Sequence, residues 1–270
     1  MQQRLLLLLM FCLLVSTPFV HAEPAGSSDR LTKVLQTKQL RVCIWPDYYG
    51  ISYRNPKTQQ LAGIDIDLAR ELARELSPEV QVDFVDSSFA RLIEDVTADR
   101  CDIAMFAIGM TPARAEKLRF TQPHLQSDVY AVTTRSNRHI QKWADIDQPG
   151  VVVAVAKGTY HEPVMRERLR QARLVVLDTP FAREQEVESG RADVFMTDYP
   201  YSQRMLANTD WARLISPPAG YHLTPYAYAM APGDDRWHNR IEDFIRAIKQ
   251  DGRLLETAKR HHLEAIAKLD

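Results

Sequence analysis

Residues 100–114 read RCDIAMFAIGMTPAR, and the fold follows from them. Ile103, Met105 and Ala107 alternate with small or apolar neighbours, the pattern of a short buried strand. Gly109 ends the strand and frees the backbone to turn. Thr111 stands where a helix N-cap belongs, Pro112 at the first helical position and Arg114 in the first turn. A strand feeding a helix start is where α/β proteins gather anions, because unpaired N–H groups point outward there. A guanidinium at that place makes a carboxylate clamp. A shorter copy lies downstream: Gly190–Met196 (GRADVFM) parallels Asp99–Met105 (DRCDIAM) and runs into Thr197-Asp198. One copy leads to a cation and the other to an anion. That pairing suits a zwitterion held between two similar lobes.

Outward from this stretch, strands and helices alternate. Upstream, Asp29 caps a short amphipathic helix, residues 40–44 form a strand, and residues 45–50 make an aromatic turn. Gly63 and Asp65 introduce a helix with Ile66, Leu68, Ala69, Leu72, Ala73 and Leu76 at helical spacing. Asp65 reads as its cap and Asp67 as a first-turn acid favoured by the helix dipole. Val80, Val82 and Phe84 alternate as the next strand, and Ser87 or Ser88 caps a helix carrying Phe89, Leu92, Ile93 and Val96. The β-α-β-α-β order predicts a parallel sheet flanked by helices. Residues 126–134 are extended, and a second unit follows: strand 151–155, a turn at Gly158-Thr159, helix 162–172, strand 174–177, a helix near 181–187 and strand 194–196. A further extended run, 226–230, precedes two C-terminal helices at 234–250 and 254–267. Two long extended runs predict a hinge crossed twice, with the last helices returning to the first lobe.

The bulk numbers narrow the function. The 270 residues are 45% apolar with a formal net charge of −1, so the basic excess that nucleic acid or an anionic membrane favours is missing. Arg4 precedes an almost wholly apolar run to Val15, Ser16-Thr17-Pro18 break it, and Val20-His21-Ala22 offers small cleavage-site residues. This reads as a secretory signal peptide over residues 1–22 and places the mature chain in the periplasm. Cys43 and Cys101 fall at buried-strand positions and read as a pair of core thiols; a disulfide is the alternative in an oxidising compartment. His261-His262 has no second ligand pair at metal spacing, so it reads as a solvated helix face, and no metal or cofactor is expected. Hydrolase, zinc-protease and phosphate-loop motifs are absent.

In order, Leu40-Arg41-Val42, Gly63-Ile64-Asp65-Ile66-Asp67-Leu68, Cys101-Asp102-Ile103-Ala104 with Arg114, Gly158-Thr159, Arg191-Ala192-Asp193 with Asp198, and Gln250-Asp251-Gly252 resemble the extracellular solute-binding proteins of the polar amino-acid type, family 3. Residues 146–151 and 196–198 look most like the periplasmic cyclohexadienyl (arogenate/prephenate) dehydratases, enzymes on the same scaffold. The resemblance implies a type II, two-lobe α/β fold with lobe one at 23–125 and 225–270, lobe two at 126–224 and a ligand cleft between them. It also implies residue roles. Arg114 holds the ligand carboxylate and Asp198 its α-ammonium, Tyr48 and Phe89 stack on the side chain, and Thr159, Tyr160 and His161 add hydrogen bonds. Trp45, Phe106 and Tyr160 are aromatic where relatives carry an acid, a serine and a threonine, which points to a neutral or aromatic amino-acid ligand over a basic one. Tyr201 stands where the dehydratases carry an acid, so no catalytic residue is assigned and binding leads over catalysis. The bland alternatives are a solvated Arg114, an Asp198 that only caps a helix, and aromatics that only fill the core. The implied partner of this monomer is an inner-membrane ABC permease or a membrane sensor.

Overall fold

A computed structural model describes residues 29–270. The expected signal peptide lies outside the described residues. Helix α1 (Arg30–Thr37) leads into β1 (Gln39–Ile44), then a small antiparallel sheet of β2 (Asp47–Tyr48), β3 (Ser52–Arg54) and β4 (Leu61–Ala62). Next come α2 (Ile64–Leu76), β5 (Gln81–Asp86), α3 (Leu92–Thr97), β6 (Ile103–Gly109), α4 (Pro112–Ala115), β7 (Arg119–Phe120) and β8 (Leu125–Ser127). The second unit holds β9 (Tyr130–Thr134), β10 (Val152–Ala156), α5 (His161–Arg168), β11 (Arg173–Leu177), α6 (Pro180–Glu188), β12 (Val194–Thr197), α7 (Tyr199–Asn208) and β13 (Ala212–Ile215). The chain closes with β14 (Thr224–Met230), α8 (Asp235–Gln250) and α9 (Arg253–Arg260).

The strands form two large sheets with one plan. In the first, the order is β5-β1-β6-β14-β7, with β8 also on β14; in the second it is β11-β10-β12-β9-β13. Each has a parallel core of three strands joined by helices, and one antiparallel strand lies against the third. The sequence echo has a physical cause. Asp102 Oδ2 accepts from the Arg41 amide at 2.7 Å at one sheet, and Asp193 Oδ2 accepts from the Val152 amide at 2.8 Å at the other. Each aspartate pins the start of its third strand to the first.

The chain passes between the sheets after Ser127 and again between Ile215 and Thr224. Asp128 joins the two crossings, accepting from the Val129, Tyr221 and His222 amides at 2.8, 2.9 and 2.7 Å. The hinge is therefore a pair of chain crossings stapled by one buried carboxylate. Helix α8 buries Trp237, Ile241, Phe244, Ile245 and Ile248, one face at helical spacing, and packs on α1, while α9 packs on α2.

Several local expectations change. Cys43 and Cys101 form a disulfide with Cα atoms 5.5 Å apart, in place of the expected thiols, and Cys101 precedes β6 without joining it. Closing a separation of 58 residues removes unfolded-chain entropy worth about 4 kcal/mol. Asp65 does not cap α2: Gly63 is the cap, and the carboxylate turns inward instead. There it accepts from the Ala107 amide at 2.8 Å and the Tyr228 hydroxyl at 2.8 Å, and meets His124 Nε2 at 3.2 Å. His261 is no solvated face, since its Nε2 lies 2.9 Å from Asp67. The last helix ends at Arg260 and a 3₁₀ turn follows at Glu264–Ile266. Helix α3 starts only after Arg91, which leaves Phe89 on the preceding loop.

Candidate functional site in the interlobe cleft

Strand β6 ends at Gly109, and Thr111 caps α4 by accepting from the Arg114 amide. The start of that helix carries Arg114, which is only 6% exposed. Its Nη1 donates to the Gly109 carbonyl at 2.8 Å and its Nη2 to the Gly158 carbonyl of the second lobe at 2.9 Å. Phe89 lies 5.4 Å from the guanidinium carbon. Burial lowers the Arg114 pKa to about 10, against nearby Tyr226, Tyr48 and Tyr160 that favour its charge.

The second lobe repeats the device with the opposite sign. Strand β12 ends at Thr197, and Asp198 caps α7, its Oδ1 accepting from the Tyr201 amide at 3.1 Å. Its Oδ2 accepts two hydroxyls from the first lobe, Tyr48 and, at 2.9 Å, Tyr226. Burial raises the Asp198 pKa, and those three hydrogen bonds oppose the rise. Burial, and after it the same carboxylate, push the Tyr48 and Tyr226 hydroxyls well above their ordinary value, so both stay protonated as donors. Tyr160 reaches across as well, 3.2 Å from the Tyr226 hydroxyl.

Gly158 opens this meeting place. Its φ of +78° suits glycine, and a Cβ there would sit 2.7 Å from the Ala90 Cα of the opposite lobe. The lobes touch backbone to backbone at this point. The cavity left between them measures about 20 Å³, room for about one water molecule. A molecule larger than water enters only when the lobes part.

The structure brings Trp45, Tyr48, Phe89, Thr159, Tyr160, His161 and Asp198 onto the wall of that cavity. It leaves two expected residues off it. Phe106 is fully buried and supports Phe89 at 5.1 Å between ring centroids, because its neighbour Ala107 faces the cavity. Arg114 is tied to the two carbonyls beside the cavity. His161 is buried, and neither ring nitrogen has a hydrogen-bond partner; the Thr197 backbone comes near without hydrogen-bond geometry. Burial first, then the Arg183 and Arg114 charges, hold its pKa well below the ordinary value.

Three residues join the site that the sequence reading passed over: Tyr226, Arg183 and Glu184. Arg183 lines the cavity, and Glu184 accepts the Tyr201 hydroxyl and pairs with Arg204 at 2.7 Å. A signal for Arg183 was present. Thr179-Pro180 is a second Thr-Pro helix start followed by an arginine, as in Thr111-Pro112 with Arg114. Among the described residues no group of three or more His, Cys, Asp or Glu is placed to hold a metal ion.

The sequence profile of the bacterial extracellular solute-binding proteins, family 3, matches residues 40–264. This chain belongs to that family. It is 30% identical over 240 residues to the cyclohexadienyl dehydratase of Pseudomonas aeruginosa, covering 88% of both chains. It is 26% identical over 216 residues to the amino-acid-binding protein AabA of Dichelobacter nodosus, covering 77% of this chain and 81% of that one. Among solved structures, the ancestral amino acid-binding protein AncCDT-1, a precursor of cyclohexadienyl dehydratase, superposes with a TM-score of 0.77 at 28% identity. That match covers 86% of this chain and 99% of the ancestor. The fold is the type II, two-lobe arrangement shared by these binding proteins.

Proposed function

We propose that this protein captures an α-amino acid or a closely related small carboxylate in the periplasm and delivers it to an inner-membrane ABC importer. The observation that carries the reading is the pair of buried opposite charges, Arg114 from one lobe and Asp198 from the other, with Tyr48 and Tyr226 near both. A zwitterion satisfies both charges at once, its carboxylate on the guanidinium and its ammonium on Asp198. Tyr48, Phe89 and Trp45 form the apolar wall for its side chain. Closure is selected because only the closed form offers both sets of contacts. The ligand exchanges for the Tyr48, Tyr226 and Gly158 contacts, which hold the closed lobes together in the structure.

The relative from Pseudomonas aeruginosa favours a second reading, a dehydratase acting on a cyclohexadienyl acid. The local chemistry weighs against it. Tyr201 occupies the position of the expected acid, and Glu184, the nearby carboxylate, is engaged by Tyr201 and Arg204. His161 is held neutral and is a poor proton donor at neutral pH.

The test is a thermal-shift and titration screen of the mature chain, refolded to strip bound ligand, against the amino acids, prephenate and arogenate. One ligand at a hundred times its Kd adds about 2.7 kcal/mol and raises the melting point without being consumed. Arg114→Ala then binds it about tenfold to 150-fold more weakly, as expected for a charge-assisted contact of about 1.5–3 kcal/mol. Stabilisation that fades as prephenate or arogenate is converted makes the protein an enzyme instead.

A further inference from the structure

The second lobe holds a guanidinium that has no direct ion-pair partner among the described residues, although its charge favours the Asp198 carboxylate from a distance. Arg183 sits in the first turn of α6, which Thr179 caps, and is 2% exposed. Its Nη1 donates to the Met196 carbonyl at 2.8 Å, while Nε has no partner. The rings of Phe195 and Tyr201 lie 4.5 and 4.7 Å from its Cζ. No carboxylate of the described residues comes within ion-pair distance of it. The two carboxylates of the site are occupied: Glu184 by Arg204 and Tyr201, Asp198 by Tyr48, Tyr226 and the Tyr201 amide.

A buried charge is kept where something pairs with it, since burial alone costs several kcal/mol per ion. Arg183 differs from Arg114 in the point that matters: it lines the cavity, and Arg114 does not. Counting the site, Arg114 and Arg183 are positive, Asp198 is negative, His161 is held neutral, and Glu184 cancels Arg204. A zwitterionic head group answers Arg114 and Asp198. One positive charge remains, on the lobe-two wall.

We infer that Arg183 is a second anion subsite, and that the ligand is an amino acid whose side chain carries a carboxylate. This deepens the amino-acid-binding reading and rests on it. The side-chain carboxylate takes the free donors of Arg183, while Trp45, Tyr48, Phe89 and Tyr201 enclose the methylenes or ring between its two ends. The sequence-based expectation of a neutral or aromatic ligand is replaced by an acidic one. The aromatic wall that suggested it now serves as the sleeve around the linker.

The experiment is a calorimetric titration of the refolded mature chain with near-isosteric acid and neutral pairs: glutamate with glutamine, aspartate with asparagine, and para-carboxyphenylalanine with para-carbamoylphenylalanine. The expected result is that the acid of one pair binds at least tenfold tighter than its neutral partner. Arg183→Met removes that preference, and Arg183→Lys, which keeps the charge, retains most of it. Should Arg183→Met fail to fold, the wild-type pairs and Arg183→Lys still decide. A neutral member that binds as tightly as its acid, or a preference unchanged in Arg183→Met, overturns the subsite and leaves amino-acid binding standing. No binding by any member of the panel overturns the subsite, while the amino-acid reading falls only if the full amino-acid screen is also empty.

Discussion

Strand β14 carries two tyrosines two residues apart, and each donates to a fully or almost fully buried aspartate. Tyr228 reaches Asp65 at 2.8 Å and Tyr226 reaches Asp198 at 2.9 Å. The chemistry is the same at both. What differs is who owns the partners. Around Asp65 they are the Ala107 amide, His124 and Tyr228, all built into the first sheet or the turn beside it. Around Asp198 the cap amide of Tyr201 belongs to its own lobe, while both hydroxyls come from across the cleft. A carboxylate whose partners share one rigid body stiffens that body. One whose partners sit on the opposite body is a contact that opening breaks and a ligand ammonium can take over.

The comparison is tested most severely at Asp65. Asp65→Ala leaves the Tyr228 hydroxyl and the Ala107 amide buried without an acceptor, at about 1–3 kcal/mol for each. Ala107 has a φ of +46°, an uncommon value for a residue with a Cβ, and the carboxylate holds it there. The expected loss is about 3–5 kcal/mol in urea denaturation. A loss under about 1 kcal/mol would mean that the lobe-one network is dispensable and the contrast with Asp198 unreal.

Asp198→Asn sharpens the same contrast from the other side. Asparagine caps a helix about as well as aspartate, so α7 keeps its start. Burial already raises the carboxylate's pKa, and removing the charge relieves that cost. Stability should change by less than about 1 kcal/mol while affinity for the amino-acid ligand falls about tenfold to a hundredfold, the worth of a charge-assisted bond. A large stability loss with unchanged affinity would make Asp198 a second Asp65.

Much of this was legible in the residues. The strand–turn–helix starts at Thr111-Pro112 and at Asp198 stand where periodicity and capping put them, because those signals are local in sequence. The repeat of Asp102 and Asp193 was visible before its cause, an amide bond to the first strand of each sheet. What stayed hidden depends on distance in space. Asp65 follows Gly63 as a cap residue would, and only the position of Ala107, 42 residues later, turns it inward. The disulfide needed a Cα separation that no spacing supplies. Ala107 lines the cavity and Phe106 packs behind it in a stretch where β6 and β14 slip register, which a strict alternation does not foresee.

The smallest effect concerns His161, which lies in the same cavity as Asp198 and has no partner of its own. Its folded pKa lies well below the ordinary value, while the unfolded chain takes up a proton near pH 6.5. Below that point the unfolded state binds more protons, so stability is fully present above about pH 6.5 and declines as pH falls through it. The decline reaches at most about 1.4 kcal/mol per pH unit from this one group. Asp198 titrates in the opposite sense, its raised pKa favouring the folded state as pH falls, and it is common to wild type and His161→Gln. The difference between their melting curves from pH 5 to 8 therefore isolates the histidine. Wild type should lose melting temperature toward pH 5 faster than His161→Gln does. Parallel curves would mean that His161 finds a proton acceptor when the lobes move, and that the cleft around Asp198 opens far more readily than the closed contacts suggest.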